Sequence, residues 1–193
     1  MKTSIQQSAL MIAAIALIAL NSSCTVMKTA QDNDHEVGTT YCVNLSNDML
    51  LVSDVYATYL DVKGEPVTEQ INTTKWVMMT PERVVPLERG IACAFKVKPD
   101  SDIPNSKQGY QLKCEINVSG GENTDYSYTA IPIDTKGKKV MTKAEARQFI
   151  EENGKNVSYG FTIGLFPPDT TQFGIHWAPE LAPEPRTLDT HQE

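Results

Sequence analysis

The chain has 193 residues, 40% of them hydrophobic and 21% charged, and carries a formal net charge of −7. That length suits one domain able to bury a sizeable core. The acidic balance excludes a nucleic-acid partner, because phosphate binding needs a basic stripe and the short run Lys136, Lys138, Lys139 sits in a solvated turn.

Met1 and Lys2 make a minimal charged start, and Ala9 to Leu20 (ALMIAAIALIAL) carries no charge. Such a run fits the apolar region of a signal peptide and is too short to span a bilayer, which takes about 20 apolar residues. Leu20-Asn21-Ser22-Ser23-Cys24 then places small side chains directly before a thiol. This stretch resembles a bacterial lipobox in the loose form used by Bacteroidota, with Asn21 where Leu is usual. The resemblance implies cleavage after residue 23 and lipidation of Cys24, which anchors the chain to a membrane.

Residues 24–38 are polar and acidic without apolar periodicity, as in a flexible tether. Within them Gln31-Asp32-Asn33-Asp34 resembles the acidic export signals of surface-exposed Bacteroidota lipoproteins.

A β domain is expected over residues 39–177. Tyr41–Leu45, Lys75–Met79 and Tyr126–Ile133 are strand candidates, and Lys63-Gly64 marks a hairpin turn between Val52–Val62 and Glu65–Ile71. That hairpin would set Leu60 opposite Val67 and Tyr56 opposite Ile71. Ile91, Cys93, Phe95 and Val97 alternate with smaller or polar residues, as do Tyr110, Leu112, Cys114, Ile116 and Val118. Pairing these two runs as an antiparallel hairpin puts Cys93 opposite Cys114 and Phe95 opposite Leu112, so every apolar residue meets another. Val157 to Leu165 alternates as well. Thr142-Lys143-Ala144-Glu145 is a capping box, so a short amphipathic helix should run to about Asn153, with Gly154 as its C′ residue.

Short strands with one crossover helix predict a mainly β fold, an immunoglobulin-like β-sandwich, with a calycin-like β-barrel as the alternative. Residues 178–193 are Pro- and acid-rich without alternation and read as a disordered tail. The pattern of Leu45–Leu51, Asp54–Asp61 with Gly64, and Thr74-Lys75-Trp76 resembles a group of small Bacteroidota lipoproteins of unknown function. That resemblance implies a β-sandwich and brings no catalytic residues.

The chemistry-bearing side chains are few. Export would permit a disulfide between Cys93 and Cys114, the other reading being two buried thiols that pack as small hydrophobes. Cys42 falls on the polar face of its strand. His35, His176 and His191 have no partner at metal-ligand spacing and no Cys pair makes a CxxC, so neither a metal nor a cofactor is expected. GxSxG, HExxH and a phosphate-binding Gly loop are missing, which argues against an enzyme. Trp76 reads as core. Trp177, with Tyr110, Tyr126, Tyr128 and Tyr159, could stack on a sugar if exposed. Asp169-Thr170-Thr171 looks like a Bacteroidota O-glycosylation acceptor in a loop, with Thr170 the acceptor.

The expectation is a lipoprotein anchored in the outer membrane, facing the periplasm or the exterior, that works as a non-catalytic binding or assembly module. A glycan or a protein would be its partner. As an alternative to glycan binding, a fimbrial or adhesin-type subunit would offer an exchangeable strand, for which Val157–Leu165 and the tail are the candidate.

Overall fold

The computed structural model describes residues 36–120, 127–135, 140–166 and 169–188, with side chains in 165–173 outside that description. Among the described residues nine strands follow in order: β1 (Glu36–Leu45), β2 (Ser53–Leu60), β3 (Pro66–Ile71), β4 (Lys75–Val84), β5 (Leu87–Val97), β6 (Lys113–Gly120), β7 (Ser127–Asp134), β8 (Ser158–Phe166) and β9 (Asp169–Trp177). They form two antiparallel sheets ordered β4-β1-β6-β7 and β3-β2-β5-β8-β9. Neither sheet closes on itself, so the fold is a β-sandwich and not a barrel.

Alternation explains the packing. In β1 the odd-numbered Tyr41, Val43 and Leu45 are buried while Thr40, Cys42 and Asn44 lie on the outer face. Ile116 and Val118 of β6 join them from the same sheet. Ile91, Cys93 and Phe161 meet them from β5 and β8 of the other sheet. Full burial of each large apolar side chain contributes roughly 1.5–3 kcal/mol.

The hairpin expected between Ile91–Val97 and Tyr110–Val118 does not form. β5 pairs with β2 and β8, whereas β6 pairs with β1 and β7. The two apolar rows face one core from opposite sheets, and apolar complementarity alone cannot distinguish a neighbour within a sheet from one across it. Tyr110 and Leu112 precede β6, and Tyr110 bridges to Met141 instead.

The β2–β3 hairpin does form, one residue out of the expected register. Tyr59 faces Val67 and Val55 faces Ile71, while Leu60 faces Pro66 and Tyr56 faces Gln70. The turn decides this. The Asp61 carboxylate accepts the N–H groups of Lys63 at 2.7 Å and Glu65 at 3.0 Å, and Gly64 takes a φ of 80°. This five-residue loop ends the pairing earlier than a tight two-residue turn would.

Helix α1 (Asn47–Val52) was not foreseen. Ser46 caps it by accepting the Met49 N–H at 3.2 Å, and Met49 and Val52 are its buried side chains. Helix α2 (Lys143–Asn153) carries the expected capping box and crosses from β7 in one sheet to β8 in the other. Gly154 is its C-cap with φ −83° and not a left-handed C′ residue. Close packing explains the glycine there: an added Cβ would lie 2.8 Å from Ile150 O and 2.9 Å from Phe95 Cδ2.

Both domain boundaries move. β1 begins at Glu36, inside the expected tether. Residues 178–188, expected to be disordered, form a strap across the outer face of the β2-β5-β8 region. Ala178 N–H donates to Gly160 O at 2.9 Å, Ser158 Oγ to Pro183 O, and Arg186 N–H to Thr58 Oγ1 at 3.3 Å. Proline-rich chain lacks periodicity, yet it can lie on a sheet whose outer face is flat. Gly90 and Gly160 face each other in adjacent strands and make that flat place.

Candidate functional site: an aromatic seam

The sandwich has two lateral openings, and a tryptophan sits at each. At the first, Trp76 of β4 packs 5.6 Å from Tyr59 of β2, which packs 5.7 Å from Tyr41 of β1. Here the polar edges are used up within the protein. Glu69 of β3 accepts from Tyr59 OH at 2.8 Å and from Trp76 Nε1 at 3.1 Å. Trp76 is half-buried against the core, as its strand position implies.

The second opening lies between edge strands β7 and β9. Tyr128 of β7 meets Phe161 of β8 at 4.8 Å, Tyr159 of β8 at 5.7 Å and Trp177 of β9 at 5.8 Å. Trp177 also meets Tyr159 and Phe161, both at 5.8 Å. Interplanar angles run from 35° to 81°, so the rings pack in the tilted and edge-on arrangements that aromatic quadrupoles favour. No common plane results. Phe161 is buried, the tyrosines are half-buried and Trp177 is 52% exposed.

The two seams differ in how their polar edges are used. Among the described residues, no protein group hydrogen-bonds to Trp177 Nε1, Tyr128 OH or Tyr159 OH. An indole face held by three other rings, with two phenols beside it, can stack on an apolar ring face and hydrogen-bond its substituents. β9 was missing from the expected strands, although Phe173, Ile175 and Trp177 alternate; Gly174 and the Pro167-Pro168 pair hid the signal.

Desolvation raises the phenol ionisation of Tyr159 to about 12, with Tyr128 adding to it. At the first seam, desolvation and then the Glu69 hydrogen bond raise Tyr59 to about 12. An unfolded tyrosine ionises near 10. Both groups therefore hold a stabilising contribution that is complete below pH ~10 and is lost as the pH rises to about 12. Tyrosinate absorbance should lag behind that of the free side chain across this window, and the thermal unfolding temperature should fall.

The remaining residues singled out in the sequence do not converge on one place. Cys93 and Cys114 are buried free thiols in the core. Cys42 lies half-buried on the outer face of its sheet, donating to Asn44 Oδ1 at 3.7 Å, with desolvation raising its pKa. Thr170 falls within β9 and not in a loop, its side chain outside the described residues. Cys24, His35, Tyr126 and His191 also lie outside them. Tyr110 is buried, donating to Pro104 O, and is removed from any stacking role. Val157–Leu165 is not an exchangeable edge, because β8 is hydrogen-bonded on both sides, to β5 and β9.

A concavity of about 570 Å³ lies by α2, its lining including Phe95, Val97, Ile150, Glu151, Lys155 and Pro185. Among the described residues, no group of three His, Cys, Asp or Glu side chains could hold a metal, and no helix is long and apolar enough to cross a membrane. Comparison with protein-family models, curated proteins and solved structures gave no match.

Proposed function

We propose that this chain is a lipid-anchored protein of the bacterial outer membrane whose β-sandwich is a non-catalytic binding module, with Trp177 as its contact face for a glycan. The observation that carries the binding half is the exposed indole of Trp177, braced by Tyr128, Tyr159 and Phe161. Exposing an indole costs the burial it would gain in the core, and the Trp76 seam is closed by the same ring type with its edge satisfied. Tilted neighbours leave one stacking face, which suits a single sugar ring and not a long flat chain.

The anchoring half is carried by sequence. The uncharged run Ala9 to Leu20 and the small residues before Cys24 resemble a lipoprotein signal in its Bacteroidota form. After lipidation, the acidic residues that follow Cys24 would hold the sandwich clear of the bilayer, on its periplasmic or outer side.

Two arms of one experiment test the halves separately. Protein extracted from the membrane should have lost residues 1–23 and gained acyl mass, and a Cys24→Ala variant should show neither; an unmodified parent would overturn the anchor. Calorimetric titration with short oligosaccharides of glucose, galactose and mannose should detect binding by at least one. Trp177→Ala should weaken that binding about tenfold, ~1.4 kcal/mol, with circular dichroism unchanged. Equal affinity in the variant would remove Trp177 from the site.

A further inference from the structure

Cys93 and Cys114 are brought together by tertiary structure in a way that strand pairing does not achieve. Cys93 belongs to the inward row of β5 and Cys114 to the inward row of β6, in opposite sheets. Neither exposes any surface, and both belong to one continuous core. Both side chains face that core from opposite sheets, and the neighbouring Cys93 thiol, with burial, raises the Cys114 thiol well above its ordinary value. Cys42, on the outer face of β1, is not a member of that core.

We propose that Cys93 and Cys114 form a disulfide that joins the two sheets when the chain folds in an oxidising medium. The oxidant is an external disulfide, supplied by a thiol–disulfide oxidoreductase or by a low-molecular-weight disulfide. One cysteine thiolate attacks it, forms a mixed disulfide and releases one external thiolate. The second cysteine thiolate then attacks the bonded cysteine sulfur and releases the other. Two protein thiols are oxidised, one external disulfide is reduced to two thiols, and the two protons leave with them.

The step belongs to folding, before the core closes. In the closed core the thiols are sealed from solvent, and contact with Cys93 together with burial keeps Cys114 protonated, so exchange there is blocked. Bridging a loop of about 20 residues should favour the folded over the unfolded state roughly a hundredfold.

The test is to unfold the full chain under reducing conditions, refold it with a glutathione redox couple, block free thiols under denaturing conditions and map the peptides. A linked Cys93–Cys114 peptide, with Cys42 blocked, is the expected result. It should be absent when the folded, reduced protein meets the same couple. Full blocking of both cysteines after refolding, or linkage of either to Cys42, would overturn the proposal. A Cys93→Ala, Cys114→Ala variant should fold and resemble the reduced parent in denaturant midpoint. Protein taken from the cell envelope separates this inference from the export reading: a bond on refolding with reduced thiols in the envelope would leave the bond standing and defeat export to an oxidising compartment.

Discussion

Gly160→Val should detach the C-terminal strap and destabilise the protein by about 3 kcal/mol. A Cβ at this position would fall 2.5 Å from Ala182 N and 2.7 Å from Leu181 C, both backbone atoms, and would also collide with Ala178 O. Backbone cannot turn aside as a side chain does. The strap must therefore lift, which breaks the Ala178–Gly160 hydrogen bond and the Ser158–Pro183 and Arg186–Thr58 contacts. Gly90→Val should act in the same direction, since its Cβ would lie 2.7 Å from Leu181 O and from Pro183 Cδ. Denaturant unfolding measures the loss, and tryptic cleavage after Arg186 should accelerate. The decisive comparison is a chain ending at Trp177, which removes the Ala178 carbonyl together with the rest of the strap. Truncation by itself should be destabilising, and Gly160→Val should cost much less in the shortened chain than in the full one. Equal costs in the two backgrounds would mean that the glycine serves the sheet and not the strap.

Arg89→Met should stabilise the protein by about 1–2 kcal/mol, visible as a rise of several degrees in Tm. Arg89 projects inward from β5 with 2% of its surface exposed. Its Nε donates to Thr39 Oγ1 at 3.1 Å and its Nη1 to Glu88 O at 2.7 Å, but among the described residues Nη2 has no partner. No carboxylate forms an ion pair with it among the described residues. Burial lowers its pKa; Tyr41 and Asp61 oppose that and Arg83 adds to it. The hydrogen bonds to Thr39 and Glu88 are lost with the guanidinium, which keeps the expected gain modest. Methionine fills a similar volume without a charge. A loss of more than about 1 kcal/mol on substitution would show that the guanidinium is paired in solution, and an anion site at that end would then be the object of study.

Legibility differed by element. The capping box at Thr142 and Glu145 announced α2 because its signal is local, two side chains bonding backbone within one turn. The strand rows at Tyr41–Leu45, Ile91–Val97 and Val157–Leu165 were visible for a similar reason, since alternation records which side of a chain meets the core. Helix α1 was missed because six residues are too few to show a period. The Trp177 seam could be named only as a group of aromatics, its exposure resting on β7 and β9 being edge strands of different sheets.

The sequence by itself determined the β character of the chain, the inward rows that carry Cys93 and Cys114, and the helix between sheets. These follow from periodicity and from local hydrogen bonding. Tertiary structure alone decided which rows share a sheet, the register of β2 on β3, the strap over Gly90 and Gly160, and which tryptophan faces solvent. An apolar row states that it must be buried but not against what, and several partners satisfy it equally well. The choice among them is made by turn geometry, by backbone contacts between distant segments, and by the closure of the two sheets over a single core.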